Sequence, residues 1–135
     1  MDKQITSLVQ ESWGKVMPIA EAAGKLFYQK LFEEDPSLRP LFKGNMEEQS
    51  RKLMTMIGAA VAKLDDLDML VPILQQLGKR HRGYGVLPHH YQTVATALIK
   101  TLREGLGESF TPKIKDAWVS VYGVMADVMI SSAKT

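Results

Sequence analysis

Apolar residues recur every three or four positions along nearly the whole chain, the spacing of one helical face. Ile5, Leu8, Val9, Trp13 and Val16 form the first stripe, and Pro18 ends or bends that helix. A second helix is predicted from about Ile19 to Glu34, with Phe27, Leu31 and Phe32 in its apolar content. Pro36 opens a short helical turn that reaches Leu41 and Phe42, and Gly44-Asn45 breaks the pattern. A long helix from about Glu47 carries Leu53, Met56, Ile57, Ala60, Val61 and Leu64 on one side. Asp65-Asp66 marks a corner. Pro72 suits the first turn of the next helix, whose stripe is Ile73, Leu74, Leu77 and His81. Gly83 and Gly85 end it. Pro88 opens a helix with Tyr91, Val94, Ala95, Leu98, Ile99 and Leu102 inside, closed by Gly105 and Gly107. Thr111-Pro112 pairs an N-cap with a helix-starting proline, and the last stripe is Ile114, Ala117, Trp118, Val121, Met125 and Val128.

The pattern predicts an all-α fold of about six long helices and one short one, with no strand and no internal repeat. The uneven lengths and dissimilar connections argue against four equal helices in an up-down bundle. With 135 residues, the chain is expected to form a single domain over residues 1–135. A domain of that size buries about 70% of its unfolded surface, enough for a core around a cofactor. Hydrophobic residues make up 45% and charged residues 24%, ordinary globular values. Seventeen basic and fifteen acidic residues are interleaved to a net charge of +2, so no footprint for nucleic acid or an anionic membrane is present. The absence of cysteine excludes disulfides, thiolate catalysis and Cys-ligated metal centres. The start, Met1-Asp2-Lys3-Gln4, lacks a signal peptide's apolar stretch, and no run has the length of a membrane span. A cytoplasmic protein is the expectation.

Three polar side chains break the apolar stripes. His81 follows Ile73, Leu74 and Leu77 at spacings of eight, seven and four. It reads either as a core histidine bonded to a carbonyl or as a metal ligand aimed into a cavity. Gln49 continues the Leu53, Met56 stripe one turn earlier. Buried, it needs partners, because an unpaired polar group costs about 1–3 kcal/mol; at a frayed helix start it faces water. Tyr28 lies one turn after Gly24. A mid-helix glycine costs up to about 1 kcal/mol, which close approach of another helix would explain, and Ser50 is a candidate for the facing position. His89 and His90 read as exposed residues, and Trp13 and Trp118 as core.

Phe27-Tyr28, Asp35-Pro36, Leu41-Phe42, Gln49 with Leu53, and then His81 together resemble the globin family. More narrowly, the strings LFYQKLFEEDPSLRPLF, EEQSRKL, LGKRH and AWVSVYGVMADV are similar to bacterial single-domain globins and to the haem domain of flavohaemoglobins. The likeness runs from Trp13 to about Ile130 and implies a globin fold around haem b (iron protoporphyrin IX). It implies His81 as the proximal iron ligand, its other N–H bonded to a carbonyl near Leu77. Phe42 would stack on the porphyrin. Leu38, Leu53, Leu77, Val86, Val94 and Leu98 would line the pocket. Lys52 and Arg80 would pair with the propionates, unless they are simply solvated cations.

The resemblance further implies that Tyr28 and Gln49 converge on the distal face as donors to a bound gas. Each donor is worth about 0.5–1.5 kcal/mol when neutral and up to about 3 kcal/mol when charge-assisted. Slow O2 release and high affinity follow. Tyr91 falls where flavohaemoglobin-like globins carry a proximal-pocket tyrosine. The glutamate that completes their relay to the proximal histidine is replaced here by Ala133, which favours reversible binding over peroxidase-type chemistry. Two functions fit: O2 binding for storage, transport or delivery, and nitric-oxide dioxygenation with a separate reductase. The ligands implied are O2 and also NO or CO.

Overall fold

In the computed structural model the described residues are 2–42 and 44–133. Six α-helices follow one another: α1 Lys3–Val16, α2 Ala20–Glu34, α3 Met46–Ala62, α4 Leu67–Gly83, α5 Pro88–Leu106 and α6 Pro112–Ala133. Short 3-10 turns occupy Met17–Ile19, Pro36–Leu41 and Gly107–Ser109, and no strand occurs among the described residues.

The boundaries follow from capping. Asp2 and Asp66 accept the second or third free amide of α1 and α4, Asn45 accepts those of Glu47 and Glu48, and Thr111 accepts that of Ile114. The Met17–Ile19 turn contains Pro18 and is the predicted bend. One boundary differs from the sequence reading. α4 starts at Leu67, so Pro72 lies inside it rather than in its first turn. Asp66 as N-cap and Asp68 in the first turn set the true start. Pro72 removes one helical amide, but it is exposed, so water satisfies the carbonyl left without a partner. Ile73 also departs from the expected stripe: it is 43% exposed, and Leu70, Leu74 and Gly78 form the buried side.

The most extensive helix packing joins α4 to α6, α2 to α5, α2 to α3 and α1 to α6. Consecutive α3 and α4 are not among the closely packed pairs. The core between these layers holds Val9, Leu31, Leu70, Leu102, Trp118 and Val121, each burial of such a side chain contributing about 1.5–3 kcal/mol. The Trp118 indole N–H donates to Ser12 Oγ at 2.8 Å, and Ser12 donates to the Val9 carbonyl at 3.0 Å, so that polar pair is satisfied inside. Trp13 packs beside Trp118 with ring centroids 6.0 Å apart.

Two glycines let helices approach. A Cβ on Gly24 would stand 3.0 Å from Ser50 Cβ and 3.1 Å from the Ser50 carbonyl, so α2 and α3 meet at the expected pair. A Cβ on Gly78 would stand 2.2 Å from the Met129 carbonyl oxygen, which permits only glycine where α4 crosses α6.

Candidate functional site

Gly24 brings α2 onto α3 one turn before Tyr28, and this crossing sets the first group of site residues. Tyr28 is nearly buried, at 6% exposure. Its ring meets Phe27 edge-on at 5.3 Å, Phe42 edge-on at 5.2 Å and Phe32 stacked at 6.0 Å. Phe32 and Phe42 also meet edge-on, at 5.6 Å, so the four rings hold one another in place. Phe42 owes its position to Asp35, whose carboxylate caps the Pro36–Leu41 turn through the Ser37 amide at 3.0 Å. Leu38 of that turn is buried. The Tyr28 hydroxyl has no hydrogen-bond partner among the described residues. Desolvation alone pushes its pKa up to about 12. Gln49, in the first turn of α3, and Leu53 one turn later are half-buried.

The second group surrounds His81 near the end of α4. The side chain is half-buried, and Nδ1 lies 2.8 Å from the Leu77 carbonyl oxygen. A carbonyl only accepts, so Nδ1 carries the proton and Nε2 keeps a free lone pair. Burial pushes the imidazole pKa below the ordinary histidine value, helped by the Arg80 charge and opposed by the Leu77 bond. The ring is therefore neutral near neutral pH, the form a metal requires. Among the described residues, no carboxylate is a cause of this shift. The Tyr91 ring stacks on it at 6.4 Å and 28°, and Tyr84 lies at 6.5 Å. The Val86 amide donates to the His81 carbonyl at 2.9 Å, tying the α4–α5 connection to the histidine's own backbone.

The two groups meet at one edge. Gly85, with φ +90°, leaves room beside Leu41, whose Cδ2 would be 3.6 Å from a Cβ there. Phe42 follows Leu41, and Val86 follows Gly85, so the two groups are neighbours in space. Apolar Leu41, Phe42, Leu53, Ile57, Leu77 and Val94 are only partly buried against the core, while Leu98 is buried. Lys52 and Arg80 are exposed, and Lys52 pairs with Glu48 at 3.5 Å. Among the described residues no group of three or more His, Asp or Glu side chains could hold a bare metal ion.

Several site features were not foreseen. His90 is 9% exposed rather than exposed, because its Nδ1 accepts the Leu87 amide at 2.9 Å. Tyr122 donates its hydroxyl to the Tyr91 carbonyl at 2.7 Å. The only sequence signal for His90 is its place three residues after Leu87, where a capping side chain reaches back, and glutamate or glutamine is the usual residue there. Ala133 ends α6, and its carbonyl accepts from the Arg82 guanidinium.

The sequence model of the globin family matches residues 25–129. The chain is 30% identical to a flavohemoprotein of Bacillus subtilis over 139 aligned positions, covering 99% of this chain and 34% of that protein. It is 34% identical to a flavohemoprotein of Bacillus cereus over 108 positions, covering 78% of this chain and 26% of that one. The chain thus spans about a third or less of the length of these relatives. A hexacoordinated haem protein from an anhydrobiotic tardigrade superposes with TM-score 0.90 at 19% identity, covering 100% of this chain and 96% of that one. An engineered carbene transferase built on a Rhodothermus marinus protein assigned as a nitric oxide dioxygenase superposes with TM-score 0.88 at 25% identity, covering 99% and 94%.

Proposed function

The chain belongs to the globin family, and we propose that it is a haem globin that binds O2 reversibly and tightly. The residues present fit a haem. His81 offers a neutral, oriented Nε2; Phe42, Leu53, Leu77 and Val94 offer partly buried apolar surface; Tyr28 offers a hydroxyl with no hydrogen-bond partner among the described residues. Haem b, held non-covalently, suits a chain without cysteine. When bound, the haem supplies an iron centre that coordinates a diatomic gas reversibly.

Everything else is the work of side chains. Leu77 fixes the His81 tautomer and ring direction through the 2.8 Å bond to Nδ1. Phe42, clamped by Phe32 and Tyr28, would supply an aromatic ring to hold the cofactor. With the haem bound, Tyr28 would donate a hydrogen bond from its hydroxyl to the gas, and Gln49 would add one from its amide N–H. The observation that carries this reading is Tyr28: a nearly buried side chain whose hydroxyl has no hydrogen-bond partner among the described residues and whose raised pKa keeps it a donor at neutral pH. Two neutral donors contribute about 1–3 kcal/mol together, enough to slow gas release by roughly fivefold to a hundredfold. Burial, the Leu77 bond and Arg80 account for the His81 shift, a setting that suits holding O2 rather than cleaving it.

The test is one absorption spectrum and one rate. The purified protein takes up hemin and gives O2-dependent bands when reduced; a protein that stays colourless with added hemin refutes the proposal. Tyr28→Phe releases O2 about two- to tenfold faster in stopped flow, and equal rates refute the donor role. A second reading, nitric-oxide dioxygenation with a separate reductase, is favoured by the likeness to the Rhodothermus marinus protein. Sustained NO consumption with a cellular reductase selects it, and a single stoichiometric turnover selects the binder.

A further inference from the structure

We propose that His90 is a proton-operated latch on the α4–α5 connection, fastening the His81 side of the pocket when neutral and releasing it when protonated. The connection runs from Tyr84 to Leu87, and the Tyr84 and Gly85 amides return to the carbonyls of the last turn of α4. The Val86 amide is held by the His81 carbonyl. The next amide, Leu87, precedes α5 and has no helical acceptor, and His90 Nδ1 accepts it at 2.9 Å while the His90 amide returns to the Leu87 carbonyl at 2.9 Å. Tyr91, the following residue, stacks on the His81 ring, and Tyr122 holds its carbonyl. The latch therefore sits between two contacts to His81, Val86 before it and Tyr91 after it.

An imidazole that accepts at Nδ1 carries its single proton on Nε2. A second proton would occupy Nδ1 and set a donor against the Leu87 donor, so the bond cannot survive. The new charge would also sit at the positive end of α5 and beside the His89 ring, whose centroid is 4.3 Å away. One group acts in the other direction. Asp35, at the end of α2, attracts both imidazoles, and it is kept anionic by the Ser37 amide and hydroxyl. Protonation thus moves the favourable partner of His90 from the Leu87 amide to Asp35, the residue that caps the turn leading to Phe42. Burial and His89 outweigh Asp35, so the His90 pKa lies below its unfolded value. The sign follows: the unfolded chain binds the proton first as pH falls. The latch's contribution is full above the ordinary histidine range and is lost as pH falls through the lower, folded value.

The consequence for His81 rests on the haem-globin reading; the latch itself does not. The test follows the Leu87 amide by 15N–1H NMR in the haem-loaded protein from about pH 8 to about pH 5, either side of the ordinary histidine value. One titration step below that value is expected. Haem transfer to an acceptor apoprotein should accelerate about fivefold across the same step, the worth of one cap. His90→Gln keeps an acceptor that does not titrate, so it should lack the step and that acceleration, whereas His89→Gln should keep both. A Leu87 amide that does not titrate, or one that titrates equally in His90→Gln, overturns the latch. If hemin does not bind, the haem-globin reading fails while the Leu87 titration in the same protein still decides the latch.

Discussion

Tyr28 and His81 are held by different forces. Tyr28 is fixed by packing: three aromatic rings lie within 5.2–6.0 Å of its own, and its hydroxyl is left unbonded among the described residues. His81 is fixed by direction: a 2.8 Å bond orients its ring, a 2.9 Å bond holds its carbonyl, and its surroundings are half open. Packing leaves the polar atom of Tyr28 available to a newcomer. Hydrogen bonding consumes one nitrogen of His81 so that the other is presented. Each wall is built around the one atom it leaves unspent.

The largest expected effect breaks the two walls apart. His81→Gly should lower hemin affinity by about a hundredfold or more, since the only oriented nitrogen donor of its group is gone. Tyr28→Phe should leave hemin affinity within about threefold, because packing and not the hydroxyl holds that wall. Hemin titration of the two variants checks this. Equal losses would show that Tyr28 also anchors the cofactor.

The glycine crossings behind the walls differ next. Gly78→Ala drives a Cβ to 2.2 Å from a backbone oxygen of α6, and no rotamer relieves that. A loss of about 3 kcal/mol is expected, with α4 and His81 displaced. Gly24→Ala meets Ser50 Cβ at 3.0 Å and the flexible Met54 side chain at 3.1 Å, and alanine favours the helix by up to about 1 kcal/mol, so about 1 kcal/mol net is expected. Urea denaturation at equal m-values measures both. A larger loss at Gly24 would make the Tyr28 wall the more rigid one.

Alkaline pH sharpens the contrast. The Tyr28 pKa rises on folding from 10.0 to about 12 through desolvation. A raised acid pKa means that the folded state keeps its proton longer. The protonated phenol's advantage is complete below pH 10 and is lost as pH climbs to about 12, a change of about 3 kcal/mol. The stability of the wild type relative to Tyr28→Phe should fall by that amount across the window. A flat difference would mean that the phenol is better solvated than its packing implies.

Why one wall was more legible than the other follows from the same contrast. The Tyr28 wall leaves a trace in spacing: Gly24 with Ser50 announces the crossing behind it, and Phe27-Tyr28, Asp35-Pro36 and Leu41-Phe42 carry the family resemblance, although the clustering of the rings was not legible. Trp13 and Trp118 were legible as core for the same reason. Hydrogen bonds to backbone leave little trace, because every residue carries the same amide and carbonyl. Leu77 was expected to serve His81 only through the family resemblance. Nothing in the composition foretold that Leu87 would give its amide to His90, or that Tyr122 would hold the carbonyl of Tyr91. The start of α4 was misread because Pro72 is a strong local signal, whereas Asp66 as a cap becomes decisive only when the backbone turns there.

The smallest expected effects concern the two surface cations, one beside each wall. Lys52 is 70% exposed at its side chain and already lies 3.5 Å from Glu48, so a propionate would have to compete with an existing partner. Arg80 forms no ion pair among the described residues and stands next to His81 in sequence, so it is the freer of the two. Exposed pairs contribute about 0–1 kcal/mol, which bounds either loss of hemin affinity at about fivefold. Arg80→Ala should therefore weaken hemin binding about two- to fivefold at low salt, an effect that fades with added salt, while Lys52→Ala should change it less than about twofold. The reverse order would mean that Lys52 gives up Glu48 when the cofactor binds, and that the Tyr28 wall, like the His81 wall, contributes a directional charge contact to the cofactor.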